Sequence, residues 1–246
     1  MNEQRLARIS GLIYLAVAVL ALVASVPQQT LVVHGDPAAT ASNIVGSTWL
    51  FGGSIVAWVG VVIADAGVAI TLYLLLAPTG RALSLAAATF RILYAAILGA
   101  IVLDMSSAFQ LLTGRAEASG LDMLQRQAIA LWSLERFSSS FLLALVVFGI
   151  HLVLLGSAFY RSGYVPRAIG ALLVAAGAGY IVDSLAKFLA ADYDGAIRAI
   201  FLAPAVVGEF GLIGWLLARG VDVGRAVAAA TSVGSGVTAT DPARGS

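Results

Sequence analysis

The stretch LAAATFRILYAAILGAIVLDM, residues 85–105, decides the fold. Apart from Arg91 and Asp104 it carries no charge, and its length as a helix, about 31 Å at 1.5 Å per residue, matches a hydrocarbon core of roughly 30 Å. A guanidinium inside such a stretch is costly, by about 2.5–3.5 kcal/mol at mid-helix on insertion scales, so it must face other helices and find partners there. The question is which neighbours supply them.

Further apolar runs lie on both sides of this one. The spacing predicts an all-α bundle of six transmembrane spans, over residues 9–26, 50–77, 82–112, 128–159, 167–190 and 198–218. The turns PTGR (78–81) and YRSGYVPR (160–167) separate spans with Pro and Gly. In GDPAATASNIV (35–45), Asp36 is a candidate N-cap and Pro37 stands at the first helical position, so a short interfacial helix is expected between the first two spans. TGRAEASGLDMLQRQ (113–127) reads as a polar loop. Residues 1–221 form one membrane domain on this reading, and the small, polar tail 222–246 is expected to be disordered. Arg5, Arg8 and a run ending in VAS (23–25) also resemble a cleaved signal peptide, but the run is long for one and is read as a retained first span.

Apolar residues make up 60% of the 246 and charged residues 11%, less than half the usual share of about 25%. A water-soluble domain is excluded, because its surface would need far more polar side chains. The formal net charge of +1 argues against a nucleic-acid partner and leaves the lipid bilayer as the partner. The absence of cysteine excludes disulfides, iron–sulfur clusters and thiolate zinc sites. Lys187 is the single lysine, a bias that fits a GC-rich bacterial genome. Arg5, Arg8, Arg81, Arg161, Arg167, Arg219, Arg225 and Arg244 fall on one side of the spans, and Arg115, Arg126 and Arg198 on the other. The richer side is the cytoplasmic one, which puts both termini inside a bacterial inner membrane.

Eight charged side chains and one histidine fall within the spans. Arg91 lies ten residues after Arg81, His151 ten before Arg161 and Glu209 ten before Arg219. Ten residues are about 15 Å, half the hydrocarbon thickness, so these three meet near the midplane. Asp65 lies close enough in depth to join them, and Tyr94, three residues after Arg91, shares its face. Arg91 is expected to pair with Glu209 or Asp65, and Tyr94 can add a hydrogen bond. Asp104, Glu135, Arg136, Asp183 and Lys187 form a second polar layer nearer the outside, in which Asp183 and Lys187 stand i, i+4 in the favourable order. Arg91 and Asp104, about 220° apart on a straight helix, do not face each other, so Asp104 looks to Arg136 or Lys187.

Five acids against three bases leave carboxylates in excess, and with His151 nearby this points to proton-linked behaviour. Buried ion pairs that only fix helix register are the structural alternative. No P-loop, G-x-S-x-G or H-E-x-x-H motif is present, His34 in an outside loop is a poor second haem ligand, and neither a cofactor nor a metal is expected. Three classes of function therefore stand: a small-solute or proton-linked binding or transport protein, a structural or regulatory membrane protein, and an intramembrane lipid-modifying enzyme.

AAATFRILYAAILG (86–99), FGIHLVLLGSAFYRSGYVPRAIGALLVAAGAGYIVDSL (148–185) and VVGEFGLIGWLLARG (206–220), with ARISGLIYL (7–15) and GDPAATASNI (35–44), resemble the bacterial membrane family known as domain of unknown function 4386. The resemblance covers about residues 5–221. It implies a polytopic bacterial membrane protein with its polar signature at Arg91, His151, Asp183 and Glu209, and it supplies no reaction or substrate.

Overall fold

A computed structural model of the chain describes residues 2–115, 120–190, 193 and 195–221, the side chains of 195–202 excepted. The expected disordered tail, 222–246, lies outside the described residues. Six helices follow one another: α1 Glu3–Leu31, α2 Pro37–Gly46, α3 Thr48–Leu112, α4 Met123–Ser162, α5 Arg167–Leu189 and α6 Gly195–Ala218. No strand occurs among the described residues. Helices α1, α3, α4 and α5 are long and apolar enough to cross a membrane, and Ala203–Ala218 of α6 is a shorter apolar stretch.

The sequence predicts two helices where the structure has α3. A straight helix of its 65 residues would be about 98 Å long. Instead Phe51 stacks on Phe109 with ring centroids 6.0 Å apart, and the Ser84 hydroxyl donates to the Tyr73 carbonyl at 3.0 Å. The chain has folded back at Gly80, whose backbone leaves the helical region two residues after Pro78. Both arms, 48–79 and 81–112, therefore run antiparallel, and the PTGR turn lies where the sequence put it.

Helix α2 starts as the sequence predicts. The Asp36 carboxylate accepts from the Ala39 N–H at 2.9 Å and Pro37 fills the first position, where its missing N–H costs nothing. Asn43 then donates to the Leu31 carbonyl at 3.2 Å, which pins α2 to the end of α1. Asp122 and Gln125 form a capping box at the start of α4. Gly163, at φ 71°, ends that helix in the left-handed region where a glycine carries no steric penalty.

Helices α4 and α5 pack backbone to backbone. A Cβ on Gly156 would lie 2.6 Å from the Gly170 carbonyl oxygen, and one on Gly149 would lie 2.6 Å from that of Gly177. The two pairs are spaced seven residues apart on each helix, so one face of each is repeated against the other. Helix α1 packs on the first arm of α3, with Gly67 against Ile13 and Gly60 against Leu20, and on α6, with Gly11 against Leu216. Contacts run from α1 to α3, α4, α5 and α6 and return to α1, so the long helices close a ring. The start of α1, the Gly80 turn, the Gly163 turn and the end of α6 gather at one end of it. There Gln4 donates to the Val221 carbonyl at 2.7 Å. The interior of the ring is where the charges lie.

Candidate functional site

Arg91 is fully buried, and its side chain is among the largest enclosed in the protein. Its Nε and Nη2 both donate to Oδ1 of Asp65, at 2.9 and 2.5 Å, which joins the two arms of α3. Its Nη1 lies 3.1 Å from Nε2 of His151 on α4. A guanidinium only donates, so Nε2 accepts and carries no proton. The other ring nitrogen, Nδ1, then donates to the Ala87 carbonyl at 2.8 Å. Geometry alone thus fixes a neutral imidazole in its Nδ1–H form, with both nitrogens engaged.

The face of the guanidinium lies 4.3 Å from the ring centre of Tyr14 on α1 and 5.5 Å from that of Phe148 on α4. Such cation–π contacts strengthen where water is excluded. The Tyr14 hydroxyl donates to Oε2 of Glu209 on α6 at 2.8 Å, and the Tyr180 hydroxyl on α5 donates to Oε1 at 3.3 Å. Phe148 stands between these groups, touching the rings of Tyr94, His151 and Tyr180 at 4.8, 5.6 and 5.7 Å. Every long helix therefore sends a side chain into one hub. A cavity of about 10 Å³ adjoins His151, lined largely by apolar side chains including Leu72, Leu76 and Leu155. At that size it holds one water at most.

The hub unites Arg91, Asp65, His151, Glu209 and Tyr94; of the two partners expected for Arg91, Asp65 is the one it pairs with, and Tyr94 differs from its expectation. Glu209 does not touch Arg91; Tyr14 stands between them and serves both. Tyr94 makes a ring contact with Phe148 and, among the described residues, no hydrogen bond to Arg91. Depth along a helix fixes height but leaves the direction of a side chain open. Tyr14 is the hub residue that the sequence reading leaves out. Its depth matches that of the hub, since it lies nine residues after Arg5, but depth alone does not separate a donor tyrosine from a packing one.

The second polar layer is less unified than predicted. Asp104 pairs with Arg136 as expected: Nε donates to Oδ2 at 3.0 Å and Nη2 to Oδ1. Arg136 also lies over the Trp132 ring at 4.8 Å. Glu135 points away, with an oxygen 3.9 Å from Nδ1 of His34. Asp183 is buried and accepts from the Tyr193 hydroxyl at 2.8 Å. Lys187 is exposed and forms no ion pair with Asp183 among the described residues, contrary to the i, i+4 expectation. It stands two residues from the end of α5, where a long side chain extends past the helix end.

An all-α bundle of long apolar helices around a buried charged hub has the architecture of a membrane protein. The chain belongs to the family described as Domain of unknown function (DUF4386), whose model matches residues 9–220. It is similar to an uncharacterized protein of Archaeoglobus fulgidus, 35% identical over 135 residues that make up 55% of this chain and 67% of the relative. No solved structure matches.

Proposed function

We propose that the chain is a six-span protein of the bacterial cell membrane that works by binding a proton at the hub, in the service of proton-linked binding or transport. One observation carries this reading: the hub sets two carboxylates, the buried Asp65 and the half-buried Glu209, against a single buried guanidinium, while His151 is held neutral by its own hydrogen bonds. With both acids ionised the hub carries a net negative charge in a medium that disfavours it, and one proton removes that charge. The proton belongs to the coupled set of groups rather than to one residue.

Six crossings follow if each arm of α3 and α6 spans as well. Each arm exceeds the roughly 20 residues a crossing needs, and α6 has 24. The end that gathers the Gly80 and Gly163 turns also collects Arg5, Arg8, Arg81, Arg161, Arg167 and Arg219, and this excess of arginine supports reading it as the cytoplasmic end, with both termini inside and α2 at the opposite interface. The six-span unit, residues 1–221, is taken as one domain. In this closed arrangement the cavity beside His151 is too small for a solute, so any solute enters only after helices part.

The enclosed packing, with both Glu209 oxygens satisfied, favours a second reading, in which the hub only locks the helices together. Infrared difference spectroscopy separates the two. Proton binding predicts a protonated-carboxyl band that grows as pH falls and vanishes in Asp65→Asn or Glu209→Gln. A folded protein with no such band at any pH is a lock. With both nitrogens of His151 engaged, it has no free base to offer a lipid, and the enzyme reading gains no support.

A further inference from the structure

Five buried side-chain polar atoms have no protein partner among the described residues: Ser54 Oγ, Trp58 Nε1, Asp65 Oδ2, Ser184 Oγ and Trp215 Nε1. Three of the five lie on the first arm of α3. Positions 54, 58 and 65 fall within about 40° of one another around a helix and extend over about 16 Å along it. All three residues are at least 96% buried. They form one stripe of one helix, and its inner end is the free oxygen of the hub.

The outer end of the stripe is fixed by the register of the hairpin. Phe51 stands against Phe109, Asp65 against Arg91 and Tyr73 against Ser84. By that register Ser54 lies level with Asp104, the partner of the half-exposed Arg136. Midway, Trp58 packs its ring on Phe137 and Phe141 at 5.8 and 5.6 Å. The stripe therefore spans the depth between the two arginine–aspartate pairs. On the other side of the hub, toward the Gly80 turn, Ser10, Ser84 and Ser162 all donate to backbone carbonyls. Trp215, on α6 near that end, has no such company.

A buried polar atom without a partner is costly, and proteins relieve that cost with internal water. A hydroxyl, an indole N–H and a carboxylate oxygen in line are the groups that hold a file of waters and orient it. We propose that the stripe Ser54–Trp58–Asp65 is the route by which a proton reaches the hub, entering from the Asp104–Arg136 end. A hydronium in the file gives its proton to Asp65 Oδ2, forming an O–H bond there and leaving water behind. Oδ1 keeps the two N–H bonds from Arg91. The titratable and charged groups that share the hub with Asp65 are Arg91 and Tyr94 on α3, Tyr14 on α1, His151 on α4, Tyr180 on α5 and Glu209 on α6. This inference rests on the hub binding a proton.

The test is a pH jump on the protein in lipid nanodiscs, followed by the growth of the carboxyl infrared band. Ser54→Val removes the hydroxyl, and Trp58→Phe removes the N–H while keeping a ring against Phe137 and Phe141. Each is expected to slow the band about tenfold or more with its final amplitude unchanged. Ser84→Ala, in the other half, is expected to leave the rate alone. Unchanged rates in both stripe variants overturn the route while the hub stands. Equal slowing by Ser84→Ala overturns its direction. No band in the unaltered protein overturns the hub and the route together. A measurement on the unaltered chain guards against misfolding of the variants. Water in the stripe makes the buried Trp58 indole N–H exchange with deuterium nearly as fast as that of exposed Trp49, and a Trp58 proton retained long after Trp49 has exchanged overturns the route.

Discussion

Asp65–Arg91 and Asp104–Arg136 are the same chemistry at two depths of one bundle. The second is the tidier pair: two guanidinium nitrogens meet the two carboxylate oxygens, the fork that suits these groups best. In the first, both donors converge on Oδ1 and leave Oδ2 without a partner among the described residues. Yet side-chain exposure is 0% and 1% for Arg91 and Asp65, against 48% and 11% for Arg136 and Asp104. Burial, more than the geometry of the fork, sets what each pair does. An exposed charge that loses its partner is screened by its surroundings, whereas a buried one has nothing to turn to.

The largest effect is therefore expected at Arg91. Arg91→Leu leaves the Asp65 carboxylate alone in the core and should cost about 3–5 kcal/mol of stability. Adding Asp65→Leu removes the stranded charge and should recover most of the loss, read as melting temperature in detergent. If the double variant is no more stable than the single one, the pair is not what makes Arg91 indispensable. Next comes the link between Arg91 and Glu209. Tyr14→Phe keeps the ring under the guanidinium and removes the 2.8 Å bond to Glu209, for a loss of about 1–3 kcal/mol. Tyr180→Phe removes the longer 3.3 Å bond and should cost less. The reverse order would move the centre of the hub from α1 to α5. The smallest effect is expected at the outer pair, where Arg136→Gln should leave the melting temperature close to that of the unaltered protein. Raising the salt concentration should erase that small difference while leaving the Arg91 loss intact.

The bundle was largely legible because its punctuation is chemical. Pro78 and Gly80, Asp36 and Pro37, and Gly163 each forbid or favour one backbone state, and each marks a turn or a helix end. Helix ends were less so. Helix α1 runs from Glu3 to Leu31 where hydropathy gave 9–26, since Gln4, Arg8, Gln28 and Gln29 continue a helix without continuing an apolar run. The hub was legible as a depth, through the ten-residue offsets of Arg91, His151 and Glu209 from flanking arginines. Its wiring was not. Whether Arg91 meets Asp65 or Glu209 depends on how helices turn about their axes, a property of packing between segments distant in sequence. Tyr14 was hidden because a tyrosine packs as readily as it donates. Lys187 misled because a long side chain at a helix end can choose its direction.

Counting protons tests the central claim most directly. Potentiometric titration of the unaltered protein and of Asp65→Asn with Glu209→Gln, both folded in nanodiscs, cancels every exposed group in the difference. A hub that binds a proton predicts that the unaltered protein takes up about one more proton than the double variant as the pH falls from mildly alkaline to acid. Superimposable titration curves would contradict the account and leave the hub as a lock between helices.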